Sequence, residues 1–209
     1  MPDDPPTRGW FVALEGGEAS GKSTQAARLA EHLGAVLTRE PGGTRLGEAV
    51  RAMLLDPDDT AMSDRAEALL FAAARAQHVH EVIRPALVLG RHVVTDRFAA
   101  SSLAYQAFGR GLDLDQVRAL SAFAVDGVWP DLNVLLVVPP QVAMNRLDQL
   151  DRLEGVGPEF HERVAERFAT LCAADPDRWV RVDATGTVDE VAARVRAEVD
   201  ARMGAGSPS

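Results

Sequence analysis

The feature that most constrains this chain is a glycine-rich loop at residues 16–23, with the sequence GGEASGKS. It matches the pattern G-x-x-x-x-G-K-[ST], in which glycines let backbone N–H groups turn towards phosphate oxygens. A short apolar run at 10–15 precedes the loop, and a helical pattern at 22–33, ended by Gly34, follows it. This order of strand, loop and helix predicts a phosphate site, because the helix N-terminus adds partial positive charge.

Four further short apolar runs are predicted to be buried strands, and helical patterns separate most of them. They lie at 35–38, 92–96, 132–138 and 179–183. Apolar strands that alternate with helices favour a parallel sheet covered on both faces, with right-handed crossovers. We therefore expect a three-layer α/β/α fold with five parallel strands flanked by helices.

The longest helical pattern runs over residues 63–90. Asp64, with Glu67 three residues later, is expected to form its N-terminal cap. Pro85 is expected to kink or break this helix, because proline lacks an N–H and its ring clashes with the preceding turn.

Composition narrows the class of protein. A length of 209 residues suits a single domain, with residues 1–9 expected to be a disordered lead and 204–209 a frayed tail.

The formal net charge of −9 argues against nucleic acid as a partner. No apolar run approaches the about 20 residues that span a bilayer, so no membrane partner and a cytoplasmic location are expected. Cys172, the single cysteine, is expected to be a small buried hydrophobe.

The loop also predicts a nucleoside triphosphate ligand with Mg²⁺. Lys22 would reach the β and γ phosphates, and the Ser23 hydroxyl would ligate the metal. Two classes of protein use such a loop: phosphotransferases, and switches that hydrolyse GTP. Residues 145–148, NRLD, resemble the base-reading N-K-x-D motif of switches, but they have Arg for Lys and the motif order is reversed, which favours a chance match.

Three further segments have a specific combination of residues. They are TREPGGT at 38–44, FAAARAQ at 71–77, and DRF at 96–98 followed by SSLAYQ at 101–106. Together with the loop, in this order over about 11–183, they resemble the thymidylate kinase family. That resemblance implies a P-loop nucleoside monophosphate kinase fold and transfer of the γ-phosphoryl group of ATP to dTMP, with Mg²⁺. Another nucleoside monophosphate kinase, such as one acting mainly on dUMP, is the alternative enzyme.

The resemblance also implies roles for individual residues. Lys22, Arg97 and Glu18 would be catalytic, and Asp96 would join Ser23 in holding Mg²⁺ through water. Tyr105 would crowd the 2′ carbon of the sugar, and Pro41 would follow a cis peptide bond. The acceptor would contact Glu18, Pro41, Phe71, Arg75, Arg97, Ser101, Ser102, Tyr105 and Gln106; ATP would contact Gly16, Gly17, Glu18, Ala19, Ser20, Gly21, Lys22, Ser23, Thr24 and Arg146.

A lid is expected at about 145–157, after the fourth strand. The loop has Ala19 and Ser20 where some relatives carry arginine, so the catalytic positive charge is expected from the lid. Arg152 is the first candidate and Arg146 the second. The family is usually a homodimer packed through helices, and the apolar stretch 117–125 could serve as the interface or belong to the core.

Overall fold

The computed structural model describes residues 8–56, 61–139, 142–143 and 158–206. Its strands are β1 (Phe11–Glu15), β2 (Val36–Arg39), β3 (Val93–Asp96), β4 (Leu132–Val137) and β5 (Trp179–Asp183). All pairs are parallel, in the order β2-β3-β1-β4-β5. The predicted five-stranded parallel sheet is confirmed, and each strand begins or ends within one residue of its predicted bounds.

Helices cover both faces of the sheet. They are α1 (Lys22–Leu33), α2 (Arg45–Leu54), α3 (Asp64–His78), α4 (Arg84–Val88), α5 (Ala99–Ser102), α6 (Leu114–Val125), α7 (Pro158–Ala174) and α8 (Val188–Ala205). Two π-helical segments, Val79–Ile83 and Leu103–Gly109, follow α3 and α5. Within the described residues, no helix is both long and apolar enough to pass through a membrane.

The central strand β1 contributes side chains to a core on each face of the sheet, which accounts for the three layers of helix, sheet and helix. All five of its residues are buried, and successive side chains point to opposite faces of the sheet. Val12 and Leu14 enter a cluster with residues of α1 and α8, whereas Phe11 and Ala13 enter a cluster with residues of the segments around α4 and α5. The apolar run is continuous because each face needs its own core.

The start of α3 corrects the predicted cap. Ser63 is the N-cap residue, since its backbone is extended and its hydroxyl accepts from the Ala66 N–H at 3.3 Å. Asp64 is already the first helical residue, one position too late to cap. Glu67 does not reach back to the cap but is buried, with 1% of its surface exposed.

Of the two outcomes predicted for Pro85, a kink or a break, the break does not occur. The helical path continues from α3 through the π-helical segment Val79–Ile83 into α4. The wider π turn lies directly before Pro85, which then occupies the first turn of α4, where the missing N–H costs little. Helix α8 extends to Ala205, two residues into the segment expected to be frayed.

Candidate active site

The glycine-rich loop leaves β1 at the carboxyl edge of the sheet, between strands β3 and β4. Gly16 has φ of 143°, and a Cβ atom there would lie 2.5 Å from the carbonyl oxygen of Leu136 in β4. Gly21, with φ of 88°, turns the chain into α1. The loop is thus packed against the sheet while its backbone amides lie before the helix N-terminus. This edge, beside the strand where the connections diverge, is where open α/β sheets bind ligands.

The ammonium group of Lys22 is buried beneath the loop. Nζ donates to the Gly17 carbonyl at 2.6 Å and to the Ser20 hydroxyl at 3.3 Å. Burial, and next the nearby charge of Arg97, lower the pKa of Lys22 to about 8. A lysine whose charge is costly in this place favours an anionic ligand, because phosphate oxygens would stabilise the charged form.

Ser23 and Asp96 meet at the start of α1 and the end of β3. The Ser23 hydroxyl donates to Asp96 Oδ2 at 2.5 Å. Asp96 Oδ1 is buried and, among the described residues, has no hydrogen-bond partner. A hydroxyl and a carboxylate with an unsatisfied oxygen are hard oxygen donors of the kind Mg²⁺ prefers, so this pair fits the predicted metal.

Arg97 connects the loop to the segment that follows β3, which contains α5. Its backbone has φ of 69°, which is uncommon for a residue with a side chain. Nη1 donates to the Gly16 carbonyl at 3.0 Å and to Ser101 Oγ at 3.3 Å, and Nη2 donates to Glu18 Oε1 at 2.6 Å and to Tyr105 Oη at 3.1 Å. Its guanidinium carbon also lies 5.0 Å from the Tyr105 ring centroid.

Glu18 and Tyr105 complete this charged group. Tyr105 Oη donates to Glu18 Oε1 at 2.5 Å. Burial opposes ionisation of Glu18, but Arg97 and then Lys22 outweigh it and lower its pKa to about 2. Burial disfavours the charged guanidinium of Arg97, yet Glu18 raises the pKa of Arg97 above its ordinary value. Burial also raises the pKa of Tyr105, which stays a neutral donor.

The far end of the cleft is formed by Phe71 and Arg75 of α3. Arg75 is 1% exposed; its Nε donates to Glu40 Oε2 at 2.8 Å and its Nη2 to Ser102 Oγ at 3.1 Å. Nη1 is buried without a hydrogen-bond partner in the described part of the chain. The other oxygen of Glu40 lies 3.0 Å from His78 Nδ1. A fixed guanidinium with one free donor is suited to a carbonyl group of a ligand.

Gln106 lies in the π-helical segment Leu103–Gly109. The widened turn places Ser102, Tyr105 and Gln106 on the same cleft. Pro41 lies opposite, and the Glu40–Pro41 peptide bond is cis, as predicted.

One cleft of about 340 Å³ brings most of the predicted residues together. That volume suits a small ligand. Among the predicted residues, its lining includes Glu18, Ala19, Gly21, Lys22, Ser23, Thr24, Pro41, Phe71, Arg75, Asp96, Arg97, Ser101, Ser102, Tyr105 and Gln106. Gly16, Gly17 and Ser20 lie behind this lining and hold Arg97 and Lys22. Arg146 and Arg152 lie outside the described residues.

Sequence reasoning missed several charged residues of this region. Arg39, Glu40 and Arg51 line the cleft, and Arg51 Nη1 donates to the Pro41 carbonyl at 3.0 Å. Glu15 and Glu67 are buried and lie outside its lining. Glu40 in TREPGGT and Glu15 at the end of the first apolar strand could have been recognised from the sequence as buried and paired residues, since ionisable residues are rarely buried without a partner. Helix α2, which positions Arg51, was not assigned.

Comparisons with known proteins identify the family of this chain. A sequence model described as thymidylate kinase matches residues 14–195. A thymidylate kinase of Synechococcus sp. (strain JA-3-3Ab) is 49% identical over 203 residues, covering 95% of this chain and 98% of the relative. One of Desulforudis audaxviator (strain MP104C) is 46% identical over 203 residues, covering 93% and 92%.

A solved structure supports the same assignment. The crystal structure of thymidylate kinase from Ehrlichia chaffeensis aligns with a TM-score of 0.78 at 30% identity, covering 92% of this chain and 99% of that one. Because the match extends through nearly the whole chain in sequence and in fold, this chain belongs to the thymidylate kinase family, phosphotransferases that act on dTMP.

Proposed function

We propose that the described cleft itself carries out this reaction, taking the γ-phosphoryl group of ATP onto dTMP to give dTDP and ADP. The observation that carries the proposal is the position of Arg97. Its guanidinium contacts the phosphate loop at Gly16 and Glu18 and the acceptor side at Ser101 and Tyr105. An arginine held between two anion sites suits an acceptor phosphate, because its planar fork binds phosphate oxygens in a bidentate manner.

The donor end of the cleft binds ATP. Lys22 exchanges its contacts with the loop for the β and γ phosphates, and the loop amides before α1 hold the remaining oxygens. Ser23 and Asp96 hold Mg²⁺, which neutralises charge on the phosphates when it is bound. In-line transfer gives the protein little covalent work, so these residues act by position and charge.

The acceptor end selects a thymine nucleotide. Phe71 stacks on the base, and the unpartnered Nη1 of Arg75 donates to a carbonyl on the base edge. Arg51 adds positive charge to the cleft beside Pro41. Tyr105, fixed by Glu18 and Arg97, crowds the 2′ carbon of the sugar, which favours deoxynucleotides. A lid arginine, Arg152 or else Arg146, supplies further charge to the transferred group.

Acceptor dependence tests this proposal. ADP formation from ATP is measured with dTMP, dUMP, dCMP, GMP or AMP at equal concentration. We expect turnover with dTMP, slower turnover with dUMP, because the methyl group is worth only about 1–3 kcal/mol, and nearly none with dCMP, which leaves buried polar groups unpaired and is rejected by about 10⁴-fold. Hydrolysis at the same rate without any acceptor would instead support a switch, and a preference for dUMP would support the alternative kinase.

We further propose that the enzyme is a cytoplasmic homodimer. Of the candidate interface 117–125, Val117, Ala124 and Val125 are buried in the core, whereas Phe123 is 85% exposed. An exposed phenylalanine on this helix supports burial against a second copy. We expect wild type to sediment as a dimer and Phe123→Asp as a folded monomer; monomeric wild type would contradict this.

A further inference from the structure

Glu67 is a buried carboxylate that lies behind the cleft, on α3. It is 1% exposed and does not line the cleft. Its Oε1 accepts from Gln106 Nε2 at 2.9 Å, and its Oε2 accepts from Arg110 Nη2 at 3.1 Å. Arg110 balances the charge, so the carboxylate is paired in its buried position.

This contact determines which end of the Gln106 amide faces the cleft. A carboxylate accepts hydrogen bonds and cannot donate one, so only the NH₂ group of Gln106 can face Glu67. The two ends of a planar amide point in different directions. With Nε2 held by Glu67, the carbonyl oxygen Oε1 is the end that remains for the cleft, which Gln106 lines. Gln106 therefore presents an acceptor.

Arg75 presents the opposite polarity at the same end of the cleft. Its Nε is bound by Glu40 and its Nη2 by Ser102, which leaves Nη1 as a donor. The cleft thus offers one donor and one acceptor, each set by a buried carboxylate. A base with a carbonyl beside a ring N–H complements this pair. A base with an amino group beside an unprotonated ring nitrogen does not. Its amino group is a donor and would meet the donor Arg75, and its ring nitrogen is an acceptor and would meet the acceptor Gln106.

We propose that Glu67 is a positioning residue for base selection, which holds the Gln106 amide in the orientation that accepts from the ring N–H of thymine and rejects cytosine. The inference rests on the proposed placement of the base between Phe71, Arg75 and Gln106. Glu67 touches no substrate and acts only through Gln106.

The test is the ratio of kcat/KM for dTMP to that for dCMP. In Glu67→Gln, which has the same shape, residue 67 can both donate and accept, so the Gln106 amide can turn over. We expect the ratio to fall by about tenfold to a hundredfold, through a higher KM for dTMP and a faster reaction of dCMP, with KM for ATP unchanged. A merely structural role would lower both activities equally and leave the ratio unchanged.

Three further variants separate the possible outcomes. Arg110→Lys loses the two-point contact with Glu67 but keeps a positive charge beside it, so the ratio should stay within about threefold of wild type. Glu67→Asp retains the carboxylate but shortens its reach, so the ratio should fall less than in Glu67→Gln; it serves as the test if Glu67→Gln does not fold. Gln106→Leu should lower the ratio by itself, and adding Glu67→Gln to it should change nothing more.

An unchanged ratio in both Glu67 variants, with a lowered ratio in Gln106→Leu, would overturn the role of Glu67 while leaving the proposed base site intact. An unchanged ratio in Gln106→Leu would instead show that the base does not lie against Gln106.

Discussion

At the scale of single residues, the cleft is governed by buried charges that pair with one another. Glu18 lies against Arg97 and Lys22, and Arg75 lies against Glu40. Arg97 is held by Glu18 and Arg75 by Glu40, and Nη1 of Arg75 has no partner among the described residues. Although the chain carries a net charge of −9, the cleft contains a local group of cations, as binding of two anionic nucleotides requires.

Glu15 gives a residue-scale prediction about pH. It is fully buried at the end of β1, where Oε1 accepts from the Phe98 N–H at 3.0 Å and Oε2 from Ser101 Oγ at 2.6 Å. Burial raises its pKa from 4.5 to about 7, against the lowering effect of Ser101 and Arg97. Between pH about 4.5 and about 7, Glu15 holds a proton in the folded protein but has released it in the unfolded chain. The stability due to Glu15 is therefore complete below pH about 4.5 and is lost as pH rises through about 7.

We expect the free energy of unfolding of wild type to lose about 3 kcal/mol from this residue between these two pH values, and Glu15→Gln to lack that slope. Urea unfolding at several pH values measures the difference between the two proteins. Glu18, whose pKa is lowered to about 2, has the opposite sign and acts below this window. Parallel pH profiles for the two proteins would contradict the prediction.

At the scale of elements, the site is formed by a loop and a π-helical segment that lie next to regular strands and helices. The phosphate loop is seated against β4, and the acceptor side comes from a π-helical segment that follows a helix of only four residues. The other π-helical segment, Val79–Ile83, lies before Pro85 and lets the helical path continue past this proline. Neither widened turn follows from an apolar pattern, because periodicity of about 3.6 residues does not distinguish an α turn from one with an extra residue.

The seat of the phosphate loop gives an element-scale prediction. Gly16→Ala adds a Cβ atom 2.5 Å from the Leu136 carbonyl, on a backbone with φ of 143° that side chains rarely adopt. Because the obstacle is the backbone of β4, the loop must shift. We expect a loss of about 2–4 kcal/mol in the free energy of unfolding, with weaker ATP binding.

Gly17→Ala is the matched control for stability. A Cβ atom there meets nothing within 4 Å. We expect it to change the free energy of unfolding by less than about 1 kcal/mol. Equal losses in the two variants, measured by urea unfolding, would show that contact with β4 does not hold the loop.

At the scale of the whole molecule, the cleft has a donor end at the loop and an acceptor end between α3 and the segment Leu103–Gly109. The long helical path of α3 and the short α5 reach this cleft from the same side of the sheet, and α2 adds Arg51. Arg97 lies where the two ends meet.

The lid arginines give the prediction at this scale. If Arg152 neutralises charge in the transition state, Arg152→Ala should lower kcat by about 10²- to 10³-fold with little change in KM for dTMP. Steady-state kinetics with saturating ATP measure both values, and Arg146→Ala is the parallel variant. A kcat of Arg152→Ala within about threefold of wild type would assign the role to Arg146 or to another residue.

The sequence by itself determined the sheet, the phosphate loop and the family. Continuous apolar strands, a glycine pattern between a strand and a helix, and four ordered motifs are local signals, and each is written in consecutive residues. The cis bond before Pro41 also followed from the family resemblance.

Only the tertiary structure decided the partners of the buried charges. The spacing of Glu67 from Asp64 predicts a helix cap. In the structure Glu67 instead accepts from Gln106, which is 39 positions away along the chain. Glu40 meets Arg75 and His78 in the same way, and Arg51 reaches the cleft from an unassigned helix. The physical reason is that the energy of a buried charge depends on which distant group packs against it, and that pairing arises only when the helices meet across the sheet.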